Sequence, residues 1–75
     1  MDIVFSRHAK RQMKWRKITE IEVESVIDDP DSLVDSVKDR KNAFKIIGNR
    51  NLKITYKPED GSLTIITAMV KGNNP

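Results

Sequence analysis

His8 is the only histidine in the chain, and imidazole is the side chain that most readily gives and takes a proton near neutral pH. At helical spacing His8, Gln12 and Arg16 stand four residues apart in turn, so their side chains line one face and can converge on one phosphate. A proton shuttle beside a cation suits a pentavalent phosphorus transition state, which needs charge stabilisation more than a strong nucleophile. The competing reading of His8 is structural: a histidine hydrogen-bonded at a helix terminus.

Other chemistries find less support. Asp28, Asp29 and Asp31 bring carboxylates together but lack the spacing of a calcium loop, and around Pro30 they read as a solvated, helix-ending turn. One histidine and no cysteine argue against a zinc or other transition-metal site, so no metal and no cofactor are expected. A glycine-rich phosphate loop, a serine nucleophile elbow and a cysteine–histidine pair are all missing from the sequence. Trp15 and Tyr56 are types that stack on unpaired bases, but single aromatics in a small domain are more often core or rim residues, and that is the reading expected here.

The elements that must position these residues begin with a short apolar stretch, Asp2 to Phe5, followed by Ser6 as a helix-capping hydroxyl. The first helix is expected from about Arg7 to Arg16. Six basic residues and no acid lie between Arg7 and Lys17, whereas Glu20 to Asp39 carries eight acids against Lys38 alone, so one positive face is available to phosphates. A solvated surface with no partner is the plainer alternative. Thr19 and Glu22 form a capping box for a second helix, with Ile18 and Val23 as its hydrophobic staple. Val23, Val26 and Ile27 give that helix one buried stripe, and Asp28-Asp29-Pro30 ends it.

Strands are expected at Leu33 to Val37, Ala43 to Ile47, Leu52 to Tyr56 and Leu63 to Val70, with turns at Gly48 to Asn51 and Pro58 to Gly61. Leu52, Ile54 and Tyr56 share one face, as in a sheet packed on helices. In the last strand Ile65, Thr67 and Met69 alternate with Thr64, Ile66, Ala68 and Val70, the pattern of a central strand or of an edge strand covered by a partner. The fold class is therefore α+β: two N-terminal helices packed on one antiparallel sheet of three to four strands, β-α-α-β-β-β-β, over residues 1–75 as one domain with a frayed tail from about 71. With no cysteine, no leader-like start and no apolar run of bilayer length, a cytoplasmic protein without membrane contact is expected. At 75 residues it has room for one core, as a monomer or a homodimer.

Ser6-Arg7-His8-Ala9, Met13, Arg16, Ile18-Thr19, Val23, Val26, Ile27 and Asp29-Pro30, in this order, resemble the family called domain of unknown function 4258. The resemblance runs through nearly the whole chain to Ile65-Ile66-Thr67, where that family likewise carries a strand with a threonine. In its layout the family is similar to the RelE-like toxins and to the wider group of metal-independent ribonucleases that includes barnase and the colicin nucleases. By position the resemblance implies His8 and Arg16 in the first helix and Thr67 in the last strand as site residues. Lys45 and Tyr56 join them as catalytic candidates from the sheet pattern alone, and Arg7, Arg11, Gln12 and Lys53 are candidate RNA contacts. Many relatives carry a basic residue four positions after the histidine; this chain has Gln12, with Arg11 beside it.

The resulting expectation is a toxin-type ribonuclease in which a ribose 2′-hydroxyl attacks its own phosphate without a metal. His8 serves as general acid or base, and Arg16 with Lys45 or Lys53 as the cationic clamp. Its partners are RNA, free or on the ribosome, and an antitoxin protein. Gln12 motivates the alternative, a non-catalytic module that binds RNA or a protein; a third reading is a dimer formed by pairing of sheet edges.

Overall fold

In the computed structural model, which describes residues 2–71, Ser6 separates strand β1 (Asp2–Phe5) from helix α1 (Arg7–Arg16). The Ser6 hydroxyl accepts the Ala9 N–H at 3.0 Å, which satisfies one of the unpaired donors of the first turn. At the other end Lys17 adopts the left-handed conformation, φ 57°, and the Ile18 N–H donates back to the Met13 carbonyl at 2.8 Å. This six-to-one bond closes the helix as a glycine would, at the steric cost that a Cβ brings to positive φ. Ala9 and Met13, four residues apart, are the buried side chains of α1.

Helix α2 (Glu20–Asp28) starts as the capping box requires. Glu22 N–H donates to the Thr19 hydroxyl at 3.1 Å, and Thr19 N–H donates to the Glu22 carboxylate at 2.9 Å. Val23 and Val26 are fully buried, and Ile18 joins them in the core.

Strands β2 (Ser32–Asp35), β3 (Lys41–Ile47), β4 (Arg50–Glu59) and β5 (Ser62–Val70) complete one sheet in the order β1-β5-β4-β3-β2. The expectation of a purely antiparallel sheet of three to four strands is corrected here: there are five strands and the sheet is mixed. β1 pairs in parallel with β5, Asp2 opposite Ser62 through Phe5 opposite Ile65, while the other neighbours are antiparallel. A four-residue strand whose partner lies at the far end of the chain leaves little local signal. Pro58 belongs to β4 rather than to a turn; it pairs with Leu63 of β5 at a point where β3 has already ended, the kind of edge position that tolerates a missing N–H. Between β2 and β3, Lys38 and Asp39 both hold positive φ, 57° and 63°, and the Arg40 N–H donates to the Val37 carbonyl at 3.1 Å. That is a two-residue turn of the primed type, built without glycine or asparagine.

Both helices lie on one face of the sheet. Their partners there are Ala43 from β3, Leu52, Ile54 and Tyr56 from β4, and Leu63, Ile65 and Ala68 from β5, which form one core with Ala9, Met13, Ile18, Val23 and Val26. The buried side of β5 changes parity between Ile65 and Ala68. Thr67 opposes Thr55 and Ile65 opposes Tyr56, so Ile66 is an extra residue, a β-bulge. The expected grouping of Ile65 with Thr67 and Met69 fails for this reason; Thr67 and Met69 face away from the helices.

Arg50, next to the β3–β4 turn, ties the helices to the sheet. Its guanidinium donates to the Arg16 carbonyl at 3.0 Å, to the Lys17 carbonyl at 3.3 Å, and to both Glu22 oxygens at 3.1 and 3.0 Å. The Thr19 N–H bond holds the Glu22 carboxyl below its usual value of 4.5; partial burial opposes this, and Arg50 adds to the lowering. A carboxyl lowered in the folded state contributes stability above its unfolded pKa and loses it as pH falls through the folded pKa. Melting temperature should therefore drop as pH falls below the usual value of 4.5, and Glu22→Gln should flatten that part of the profile while lowering stability near neutrality. An unchanged acid limb in the variant would show that Glu22 does not carry it.

Candidate functional site

β1 ends opposite Ile65, but β5 continues to Val70. Along this remaining stretch α1 takes the place of a strand. Ser6 N–H donates to the Ile65 carbonyl at 3.0 Å, and the Ser6 hydroxyl reaches the Ile66 carbonyl at the bulge, 3.3 Å away. Six residues further on, the Gln12 side-chain carbonyl accepts the Ala68 N–H at 3.0 Å. With Ala9 and Met13 pointing into the core, these two bonds fix the rotation of α1 about its axis.

That rotation leaves His8, Arg11, Gln12, Trp15 and Arg16 lining a groove of about 420 Å³. His8 and Arg11 are exposed, and Trp15 is 77% exposed. The Arg16 guanidinium sits 4.9 Å from the centre of the Trp15 ring, a cation–π contact that covers one side of the indole. Arg16 Nη1 is buried with no hydrogen-bond partner among the described residues. No acidic residue occupies the first turn of α1, and none of the ion pairs among the described residues involves it; Arg7, Lys10 and Lys14 add further exposed cations. The groove therefore offers one proton-transfer group, two arginines and an aromatic plane. Together these suit a phosphodiester with an attached base.

The sequence-predicted residues divide into three places. His8, Arg11, Gln12 and Arg16 meet in the groove, with Arg7 exposed on the same helix. Lys45 and Tyr56 project to the helix-covered side, since they align with the core residues Leu52 and Ile65 across the sheet. Lys45 lies two strands from β5, where its ammonium donates to the Asp29 carbonyl at 2.9 Å and lies 3.6 Å from the Asp29 carboxylate. Tyr56 is a core residue, 7% exposed. Lys53 and Thr67 occupy the opposite, helix-free face. There Lys53 aligns with Phe44 and Met69, and Thr67 with Thr55, whose hydroxyl donates to the Asn42 side-chain carbonyl at 2.7 Å. Neither pair lines the groove with His8.

The acidic turn is engaged rather than merely solvated: Asp31 accepts the Ile46 N–H at 2.9 Å, completing the ladder where β2 begins. Among the described residues no group of three or more His, Cys, Asp or Glu is placed to hold a metal ion. Sequence reasoning missed Trp15 as a groove residue. The i, i+4, i+7, i+8 spacing of His8, Gln12, Trp15 and Arg16 was the available signal. It also missed Arg50, whose role depends on a helix end brought close by folding.

The model of a family described as a domain of unknown function (DUF4258) matches residues 5–70, from the end of β1 to the end of β5. No curated protein and no solved structure matches the chain.

If Gln12 is what holds α1 against the strand, Gln12→Ala will leave the buried Ala68 N–H unpaired and cost about 1–3 kcal/mol. Amide exchange at Ala68 should then accelerate far more than at residues of β4. Equal acceleration throughout the sheet would mean only a general loss of stability.

Proposed function

We propose that this chain, which belongs to the DUF4258 family, is an RNA-directed domain whose working surface is α1, and that His8 makes that surface a metal-independent endoribonuclease of the RelE-like toxin type. The observation that carries the reading is the groove in which His8, Arg11, Gln12 and Arg16 come together on a helix without acids. Affinity comes from Arg7, Arg11 and the exposed lysines, which neutralise phosphates with little regard to sequence. In the reaction the ribose 2′-oxygen forms a bond to the neighbouring phosphorus as the bond to the 5′-oxygen breaks. The products are a 2′,3′-cyclic phosphate and a 5′-hydroxyl. His8 takes the 2′-hydroxyl proton while water protonates the leaving oxygen, or supplies the proton to the leaving oxygen while water takes that of the 2′-hydroxyl, and the guanidinium groups of Arg11 and Arg16 stabilise charge on the equatorial oxygens. The partners on this reading are RNA, free or on the ribosome, and an antitoxin protein that covers the same helix; a cytoplasmic location follows from such partners. Among the described residues, no helix is long and apolar enough to cross a membrane.

One observation favours a second reading, a module that binds RNA without cutting it. Lys45, Tyr56, Lys53 and Thr67, which would have completed a cleft, lie elsewhere, and the groove holds a single proton-transfer group.

Purified protein incubated with a mixed-sequence RNA in chelator should generate cyclic phosphate ends, and His8→Ala should lower the rate by roughly 10²–10⁴ while retaining RNA binding. Binding that persists in both proteins with no cyclic ends, on isolated RNA and on programmed ribosomes alike, would leave the binding module as the function.

A further inference from the structure

Trp15 is a large aromatic side chain on the outside of the molecule, 77% exposed on a helix whose neighbours along the groove are His8, Arg11 and Arg16. Leaving an indole in water forgoes the burial that usually holds tryptophan in place, and nothing in the core requires it there. Its plane is nevertheless contacted by the Arg16 guanidinium 4.9 Å away, which occupies one side. A tryptophan contacted in this way among cations presents its remaining face to a flat, electron-rich group attached to a polyanion. A protein hot spot would more often set such a ring among apolar neighbours. Around Trp15 the exposed positions are Arg11 and Lys14, and the buried ones, Met13 and Ile18, belong to the core.

We infer that Trp15 is the stacking platform for an unpaired base, so that the surface recognises single-stranded rather than duplex RNA. This rests on the reading of α1 as an RNA surface and adds the substrate class to it. A paired base offers no free face to an indole, because both of its faces are stacked within the duplex, whereas every unpaired base has one. Trp15 lies seven residues from His8, about 10 Å of helix rise, so the stacked base belongs to a nucleotide beside the phosphate that meets His8. Arg16, one residue past Trp15, contacts the ring and lines the same groove as His8.

Trp15 is the only tryptophan, so its fluorescence reports the contact directly. The experiment titrates the protein with an unstructured oligouridylate and with a blunt RNA duplex of equal length, following indole emission and, separately, retention of labelled RNA. Quenching by the single strand is expected, with little quenching and weaker retention for the duplex. Trp15→Ala should weaken single-strand retention roughly 5- to 150-fold, and Trp15→Phe should recover much of that loss. Equal retention of single strand and duplex, or retention unaffected by Trp15→Ala, would overturn the inference while leaving α1 as an RNA surface. Failure of the wild-type protein to retain either RNA would overturn the surface itself.

Discussion

The difference in length between β1 and β5 governs this fold. Four residues of β1 cover only the first part of a nine-residue strand, and the bulge at Ile66 turns the remainder so that the Ile66 carbonyl and the Ala68 N–H face the gap. Backbone groups in such a position must find partners or carry a desolvation penalty. The partners are two side chains of the helical segment, Ser6 and Gln12. This accounts for Gln12 at a position where a basic residue would not serve. Lysine and arginine have no acceptor, and either would set donor against donor at Ala68. Once Gln12 faces the strand, helical geometry places His8, Arg11, Trp15 and Arg16 along the same flank, and the groove follows from the repair of the sheet edge.

Charge is sorted by the same packing. Three cations of the sheet are taken up by acids or carbonyls, Lys45 at Asp29 and Asp31, Arg50 at Glu22 and the end of α1, and Lys41 at Asp35, while Lys53 and Lys57 of β4 have no acid among these pairs. The Lys41–Asp35 pair is exposed and adds little stability, whereas Arg50 joins three segments at once. The cations of α1 have no acid among these pairs. The uneven charge of the sequence thus becomes an uneven surface, with the acid-free helix α1 and its His8 on a positive part of it. A surface rich in unpaired cations attracts polyanions before any specific contact forms.

Much of the fold was legible because its signals are local. The Thr19–Glu22 box, the Ser6 cap and the stripe of Val23 and Val26 place both helices, and alternation places Leu52, Ile54 and Tyr56 on the core side. Long-range features were harder to read. β1 finds its partner sixty residues away, and the bulge that moves Thr67 to the opposite face inserts one residue into an otherwise regular alternation. A strand apolar on both faces pointed to a covered strand but not to what covers it. Here a strand covers one half and a helix the other. Within the candidate site, His8, Gln12 and Arg16 of a single helix could be grouped by spacing alone, whereas Lys45, Tyr56, Lys53 and Thr67 depended on sheet registers that spacing does not reveal.

The central claim, that an RNA partner meets α1 and not the helix-free face of the sheet, is open to direct measurement by backbone and indole NMR shifts during titration with a short single-stranded RNA. Binding at α1 should move the Trp15 indole N–H and the amides from Arg7 to Arg16 together while Phe44, Lys53, Thr55 and Thr67 stay in place. Shifts concentrated on those four sheet residues, with α1 unmoved, would contradict it.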